Sequence, residues 1–244
     1  MADARRDPRS RGLAVLRRCG SPARGSRMST YAFMRRLEST PSRYDRGIRL
    51  LSRGRMSGVY ERVAELAAGP GLRVLDIGCG TGGVTLACAA RGAETIGIDR
   101  DAGMLEVAAA KPAPATGSVE WVELGAAEIE DRFDPETFDA VVSCLVFSEM
   151  SPQERSYVLG IVHDRLRPGG RLVIADEVEP AGGGARLVYR TLRIPTVAVT
   201  WLLTQTTTHP VHGLTDAVRR AGFVDIDEEH PWSSFVISSA RRPS

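Results

Sequence analysis

From residue 73 to residue 176 the chain alternates short, continuously apolar runs with longer stretches of mixed polarity. The runs VLDI, TIGID, AVVSC and LVIAD, together with SVEWVEL, predict strands at 73–77, 94–99, 118–124, 138–144 and 171–176. Unbroken apolar cores suit strands that are covered on both faces. The intervening stretches predict helices at 82–91, 102–111 and 151–166, a short acidic helix or turn at 126–132, and a turn at Pro168-Gly169-Gly170. Strands alternating with helices predict an α/β chain: a doubly wound, mostly parallel sheet with helices on both sides.

The flanks follow a different rhythm. Ile48, Leu50, Leu51, Met56, Tyr60, Val63 and Leu66 recur at helical spacing, and Gly47, Gly54 and Gly58 are expected to break them into two or three short helices. Gly69-Pro70-Gly71 stops this stretch. Beyond Glu179 come a glycine hinge at 182–184, a broken helix at 185–203 interrupted by Pro195, and a polar run to His209. A helix at 215–221 and two strands at 223–227 and 233–239, read as a closing hairpin, bring the sheet to seven strands. The organisation expected is a disordered arginine-rich segment or mis-assigned start at 1–27, with Met28 as the other candidate start. A helical cap at 28–70 and a domain at 71–244 carrying a lid insertion at 182–213 follow.

Composition narrows the function classes. With 43 % hydrophobic and 25 % charged residues the chain reads as globular. Its most apolar stretch, 194–203, is too short to span a bilayer, so no transmembrane segment is expected. Residues 1–56 hold 15 arginines against 4 acids, while the remainder holds 17 basic and 26 acidic residues. An acidic body offers no extended basic face to a phosphate backbone, so no nucleic-acid partner is expected. Cys19, Cys79, Cys88 and Cys144 have neither metal-ligand spacing nor a Cys-x-x-Cys pair, so no metal is expected; a reducing cytoplasm fits this usage.

The chemistry concentrates where the first strand meets the first helix. Asp76-Ile77-Gly78-Cys79-Gly80-Thr81-Gly82-Gly83 must turn sharply and pass close to a ligand, which glycine permits. A helix N-terminus behind such a loop offers free N–H groups to an anion. Two patterns compete for it. Gly78, Gly80 and Gly83 fit the dinucleotide spacing, whereas Asp76, Gly78, Gly80 and Gly82 fit the acid-x-G-x-G-x-G spacing of S-adenosylmethionine sites. Asp76 favours the second, because a carboxylate there would repel a pyrophosphate and suits an ammonium, met directly or through water. Asp99 ends the second strand, 23 residues on, where an acid can accept hydrogen bonds from ribose hydroxyls.

These residues resemble the class I S-adenosylmethionine-dependent methyltransferases, in particular the type 11, UbiE-like branch. VLDIGCGTG resembles the cofactor loop, GIDRD the ribose-binding strand end, and GAAEIED the adenine segment. FDAVVSCLVFSEM and LRPGGRLVIADE resemble the fourth and fifth strands. The resemblance implies a Rossmann-like methyltransferase fold and S-adenosylmethionine as cofactor. It implies cofactor contacts from Asp76, Gly78, Cys79, Gly80, Gly82, Asp99, Arg100, Ala126, Ala127, Glu128 and Ser143. Ala126 stands where the family often has an acid, which shifts the adenine contact to the Ala126–Ala127 backbone or to Glu128. The fourth strand lacks Asn-Pro-Pro-Tyr, which argues against base methylation. The segments 38–51, Phe147-Ser148-Glu149 and 202–208 are similar to corrinoid protein-associated methyltransferases, implying a possible corrinoid-protein partner.

Methyl transfer from a sulfonium is an in-line displacement, for which alignment supplies most of the catalysis and a base is needed only for a weakly acidic acceptor. Tyr44, Glu149 and His209 are the candidates for such a role, and a small molecule or a cofactor is the expected acceptor. The apolar stretch 185–208 is expected to form a lid over it with the helices around Tyr44 and Tyr60. Two other functions compete: a non-catalytic S-adenosylmethionine-binding partner of a corrinoid protein, and a nicotinamide-dependent oxidoreductase. Asp76 and the lack of a Tyr-x-x-x-Lys pair, Lys111 being the one lysine, disfavour the latter.

Overall fold

A computed structural model describes residues 54–179 and 210–244. Tyr44, His209, the 1–27 segment and nearly all of the expected lid lie outside the described residues.

The described chain opens with α1 (Arg55–Ala67) and then alternates: β1 (Arg73–Ile77), α2 (Gly83–Ala90), β2 (Glu94–Asp99), α3 (Ala102–Ala109), β3 (Ser118–Glu123). A 3-10 turn (Ala126–Glu128) and α4 (Ile129–Arg132) lead into β4 (Phe138–Cys144). A second 3-10 turn (Phe147–Glu149) and α5 (Pro152–Arg165) lead into β5 (Leu166–Glu177), followed by α6 (Leu214–Arg220), β6 (Val224–Trp232) and β7 (Phe235–Arg241). The seven strands form one sheet in the order β3-β2-β1-β4-β5-β7-β6. The first five are parallel and β7 runs antiparallel to both its neighbours. This is the doubly wound, mostly parallel seven-stranded sheet expected.

Local sequence accounts for the element ends. Ser151 and Glu154 form a reciprocal capping box at the start of α5, with Pro152 in its first turn. Asp101 caps α3, accepting from the Gly103 and Met104 N–H groups at 2.8 and 3.4 Å. Two expectations fail. Gly58 does not break α1; it lies inside the helix, and only Gly54, at φ 79°, marks its start. A helical glycine costs about 0.5–1 kcal/mol. Burial of Met56, Val59, Val63, Ala64 and Ala67 outweighs that, each fully buried valine contributing about 1.5 kcal/mol or more. The Pro168-Gly169-Gly170 turn is instead part of β5. Gly169 N–H donates to the Arg242 carbonyl (3.0 Å) and Arg242 N–H to the Gly170 carbonyl (2.9 Å), so the end of the chain pairs with this stretch.

Each face of the sheet is covered. On one face Val59, Val63 and Ala64 of α1 and Val84 of α2 pack with Val74, Val142, Val173 and Ile237 of the strands. On the other, Leu159 and Val162 of α5 and Val218 of α6 pack with Leu75, Val141 and Leu172. α1 thus belongs to the sheet's own packing. All five parallel strands leave their carboxyl ends on one rim, where open α/β sheets hold ligands.

Candidate functional site

The β1–α2 loop shows why glycine stands at its spaced positions. A Cβ on Gly78 would lie 2.4 Å from Val146 Cγ2, and one on Gly82 2.4 Å from Trp121 Cη2. Those two glycines make room for the protein's own side chains. Gly80, at φ 52°, has nothing within 4 Å of its Cβ position; its empty side faces a cavity. The loop is pinned by Cys79 N–H on the Ile98 carbonyl (2.9 Å), by Gly80 N–H on Asp99 Oδ2 (2.8 Å) and by Lys111 Nζ on the Thr81 carbonyl (2.7 Å).

The cavity measures about 440 Å³ and sits beyond the carboxyl ends of β1, β2 and β4. Its walls are Gly78 and Gly80, the β2 end from Asp99 to Asp101 with Met104, the segment 124–128, the β4 end from Cys144 to Val146, and Glu149 with Met150. Of the residues proposed from sequence for the cofactor, Gly78, Gly80, Asp99, Arg100, Ala126, Ala127 and Glu128 face this one space.

Asp76, Cys79, Gly82 and Ser143 are not among its walls. Asp76 is 1 % exposed and accepts from Thr85 Oγ1 at 2.6 Å. Burial pushes its carboxyl up to about 7, against the pull of the Thr85 hydrogen bond. Asp76 thus spends one carboxylate oxygen on α2 and does not itself line the cavity. Cys79 packs against Leu105, Ala108 and Trp121, and burial pushes its thiol well up. Ser143 Oγ donates to the Ile77 carbonyl at 3.1 Å, tying β4 to β1.

Asp99 behaves differently. It is half-buried, and burial raises its carboxyl while the Asp101 and Gly80 N–H groups pull it back. Oδ1 accepts from Asp101 N–H (2.9 Å) and Oδ2 from Gly80 N–H (2.8 Å). A carboxylate has roughly four acceptor sites, so two remain for a diol. Glu128 Oε2 is engaged by the Gly125 N–H at 2.8 Å, which aims the 125–128 turn along the cavity edge.

Glu149 also lines the cavity. Burial raises its carboxyl, Arg100 opposes that and Asp99 adds to it; the side chain stays exposed, which tempers all three. Tyr60 packs with the α1 side of the core and lies 2.5 Å from where a Cβ on Gly83 would be, so it is not a cavity wall. Asp176 holds the backbone N–H groups of Ser148 and Glu177. No spacing rule links Lys111 or Met104 to the glycine loop, so the sequence alone does not mark them. A second hollow of about 380 Å³, between α1 and the β6–β7 hairpin, shares no residue with the first; Arg62 and Glu229 pair beside it. Among the described residues no three His, Cys, Asp or Glu side chains gather as a metal site, and no helix is long and apolar enough to cross a membrane.

Residues 74–170 match the model of a methyltransferase domain. A demethylmenaquinone methyltransferase of Thermus thermophilus is 35 % identical over 151 residues, covering 61 % of this chain and 67 % of the relative. A ubiquinone biosynthesis O-methyltransferase of Pseudomonas syringae is 38 % identical over 118 residues, 48 % of each chain. The chain thus spans about two thirds of the first relative and about half of the second. Among solved structures, an S-adenosylmethionine-dependent methyltransferase from Mesorhizobium loti superposes with a TM-score of 0.55 at 26 % identity, covering 75 % of this chain and 95 % of that one. The glycine loop, the acid at the end of β2 and these likenesses agree: the chain belongs to the class I S-adenosylmethionine-dependent methyltransferases.

Proposed function

We propose that this protein transfers the methyl group of S-adenosylmethionine to a small-molecule acceptor, and that the acceptor is a hydroxylated or enolisable aromatic ring of the quinone-precursor kind. The observation that carries the cofactor half is the single cavity faced by Asp99 and by the open side of Gly80. Its size and its free acceptor sites suit a nucleoside with a charged tail. The acceptor half is supported by the names of the two relatives above and by the apolar wall of Leu145, Val146 and Met150.

The bound cofactor supplies an electrophilic methyl on a sulfonium. The protein's part is alignment. Asp99 holds the ribose, Gly80 lets the backbone approach, and the 125–128 turn borders the adenine. Glu149 is within electrostatic reach of Asp99 and Arg100, so we place it beside the sugar rather than on the acceptor. Tyr44 and His209, the other candidates for taking the acceptor's proton, lie outside the described residues. A corrinoid-protein partner rests on the flanking-sequence resemblance, two of whose three segments lie outside the described residues.

Incubation with labelled S-adenosylmethionine and a panel of hydroxylated aromatics, thiols and amines, read by mass spectrometry, tests the acceptor. Methylated ring carbon or phenolic oxygen is expected. Turnover of amines or thiols alone would overturn the acceptor class, and failure to bind S-adenosylmethionine would overturn the cofactor.

A further inference from the structure

The turn that follows β4 supplies part of the cavity wall, yet it is not built to hold itself. Leu145 sits at φ 61°, a left-handed conformation that costs a branched residue about 1–2 kcal/mol. Such strain persists only where the surroundings over-determine it. Two anchors do so here. Leu145 N–H donates to the Ala175 carbonyl at 2.9 Å. Ser148 N–H donates to Asp176 Oδ2, also at 2.9 Å, while Oδ1 takes the Glu177 N–H at 2.8 Å. Asp176 itself is 0 % exposed at the end of β5 and does not line the cavity, whereas Cys144, Leu145, Val146 and Glu149 do.

We infer that Asp176 is a positioning residue: a buried carboxylate that clamps the Phe147–Glu149 turn to β5 and thereby holds Val146 and Glu149 against the cofactor. The inference rests on the reading of the cavity as the S-adenosylmethionine site. A burial this complete needs a reason, because an ionised carboxylate is costly inside protein unless its oxygens are filled. Each of its oxygens takes one N–H, and one of those belongs to the strained turn. Hydrogen bonds to a charged acceptor are the stronger kind, so the clamp weakens when the carboxyl takes up a proton. Burial pushes that carboxyl up to about 6, with the Ser148 and Glu177 hydrogen bonds opposing. The titratable groups facing it are Glu177 on its own strand and the Cys144 thiol on β4; the turn presents backbone, and β7 presents Val236 in register.

The test is Asp176→Asn, with wild type and Asp99→Ala alongside. S-Adenosylmethionine affinity is measured by calorimetry from pH 5 to pH 8, and protection of the Ser148 amide by hydrogen exchange without ligand. Asp176→Asn should bind about three- to tenfold more weakly at pH 8, as befits a charge-assisted bond weakened to a neutral one. That gap should close near pH 5, where both side chains are neutral. Ser148 should lose protection in the variant, while the Leu159 amide in α5 keeps it. Asp76, pushed up to about 7, titrates in both proteins, so the difference between the two profiles is the readout. Equal affinity and equal Ser148 protection at every pH would overturn the clamp while leaving the cofactor site intact. If wild type does not bind S-adenosylmethionine, the cofactor reading falls, and the exchange data still decide the clamp. Should the variant not fold, loss of wild-type Ser148 protection between pH 7 and pH 5 replaces it, and unchanged protection overturns the proposal.

Discussion

The ends of β1 and β2 look alike in sequence, each an apolar run reaching an aspartate, yet the fold uses the two carboxylates in opposite ways. Asp76 stands one residue inside its strand and turns toward α2, where Thr85 closes over it. Asp99 is the last residue of its strand and turns toward the rim, where Gly80 and Asp101 hold it open to the cavity. Register places Asp76 beside Gly97, so Asp99 stands two residues further along on the same face of the sheet; distance toward the rim, not face, separates the two. The buried acid braces the loop from below, and the rim acid is left to bind.

That contrast can be broken in a graded series. The largest effect is expected from Gly80→Val. A Cβ there meets no protein atom within 4 Å but enters the cavity, so S-adenosylmethionine binding should fall by about a hundredfold or more, on top of roughly 1–2 kcal/mol of strain from a side chain at φ 52°. Gly82→Val, also at positive φ and driving into Trp121 besides, should lower the melting temperature further. Equal behaviour of the two in calorimetry and thermal melts would erase the distinction drawn between them. Next, Asp99→Ala should weaken binding about ten- to hundredfold, since charge-assisted bonds to the ribose contribute roughly 1.5–3 kcal/mol each.

Asp76→Asn should leave affinity within about threefold and change stability instead. A carboxyl raised from its ordinary value of 3.8 to about 7 keeps its proton in the folded state over a range where the unfolded chain has lost it. Folding stability should therefore fall as pH rises from about 4 to about 7, and level off above. The asparagine variant should flatten that slope in melts run at pH 5 and pH 8. The smallest effect belongs to Lys111→Met, which removes the Lys111 bond to the Thr81 carbonyl; a two- to threefold loss of affinity is about what one partly exposed hydrogen bond supports. An unchanged dissociation constant would show that the loop is held without it.

Strands at Arg73–Ile77, Glu94–Asp99 and Phe138–Cys144 are legible from sequence because continuous apolar runs ending in a polar residue are a local signal. The glycine loop is legible for the same reason. What escapes is tertiary. Gly58 reads as a breaker, but the burial of its neighbours keeps the helix running. Pro168–Gly170 reads as a turn, but pairing with Arg242 extends β5 through it. The spacing of Asp76 from Gly78 identifies the family pattern without revealing that its carboxylate turns away from the ligand space. Lys111 carries no motif, and the motif that holds Asp176 does not name its partner; their roles exist only because the fold brings Thr81 and Ser148 to them.

The most direct test of the account is a crystal structure of the protein with S-adenosylhomocysteine. The account predicts the ligand in the cavity beyond β1, β2 and β4, with both ribose hydroxyls about 2.7 Å from Asp99 and Asp76 still sealed under Thr85. A ligand bound between α1 and the β6–β7 hairpin, or a ribose that leaves Asp99 without contact, would contradict it.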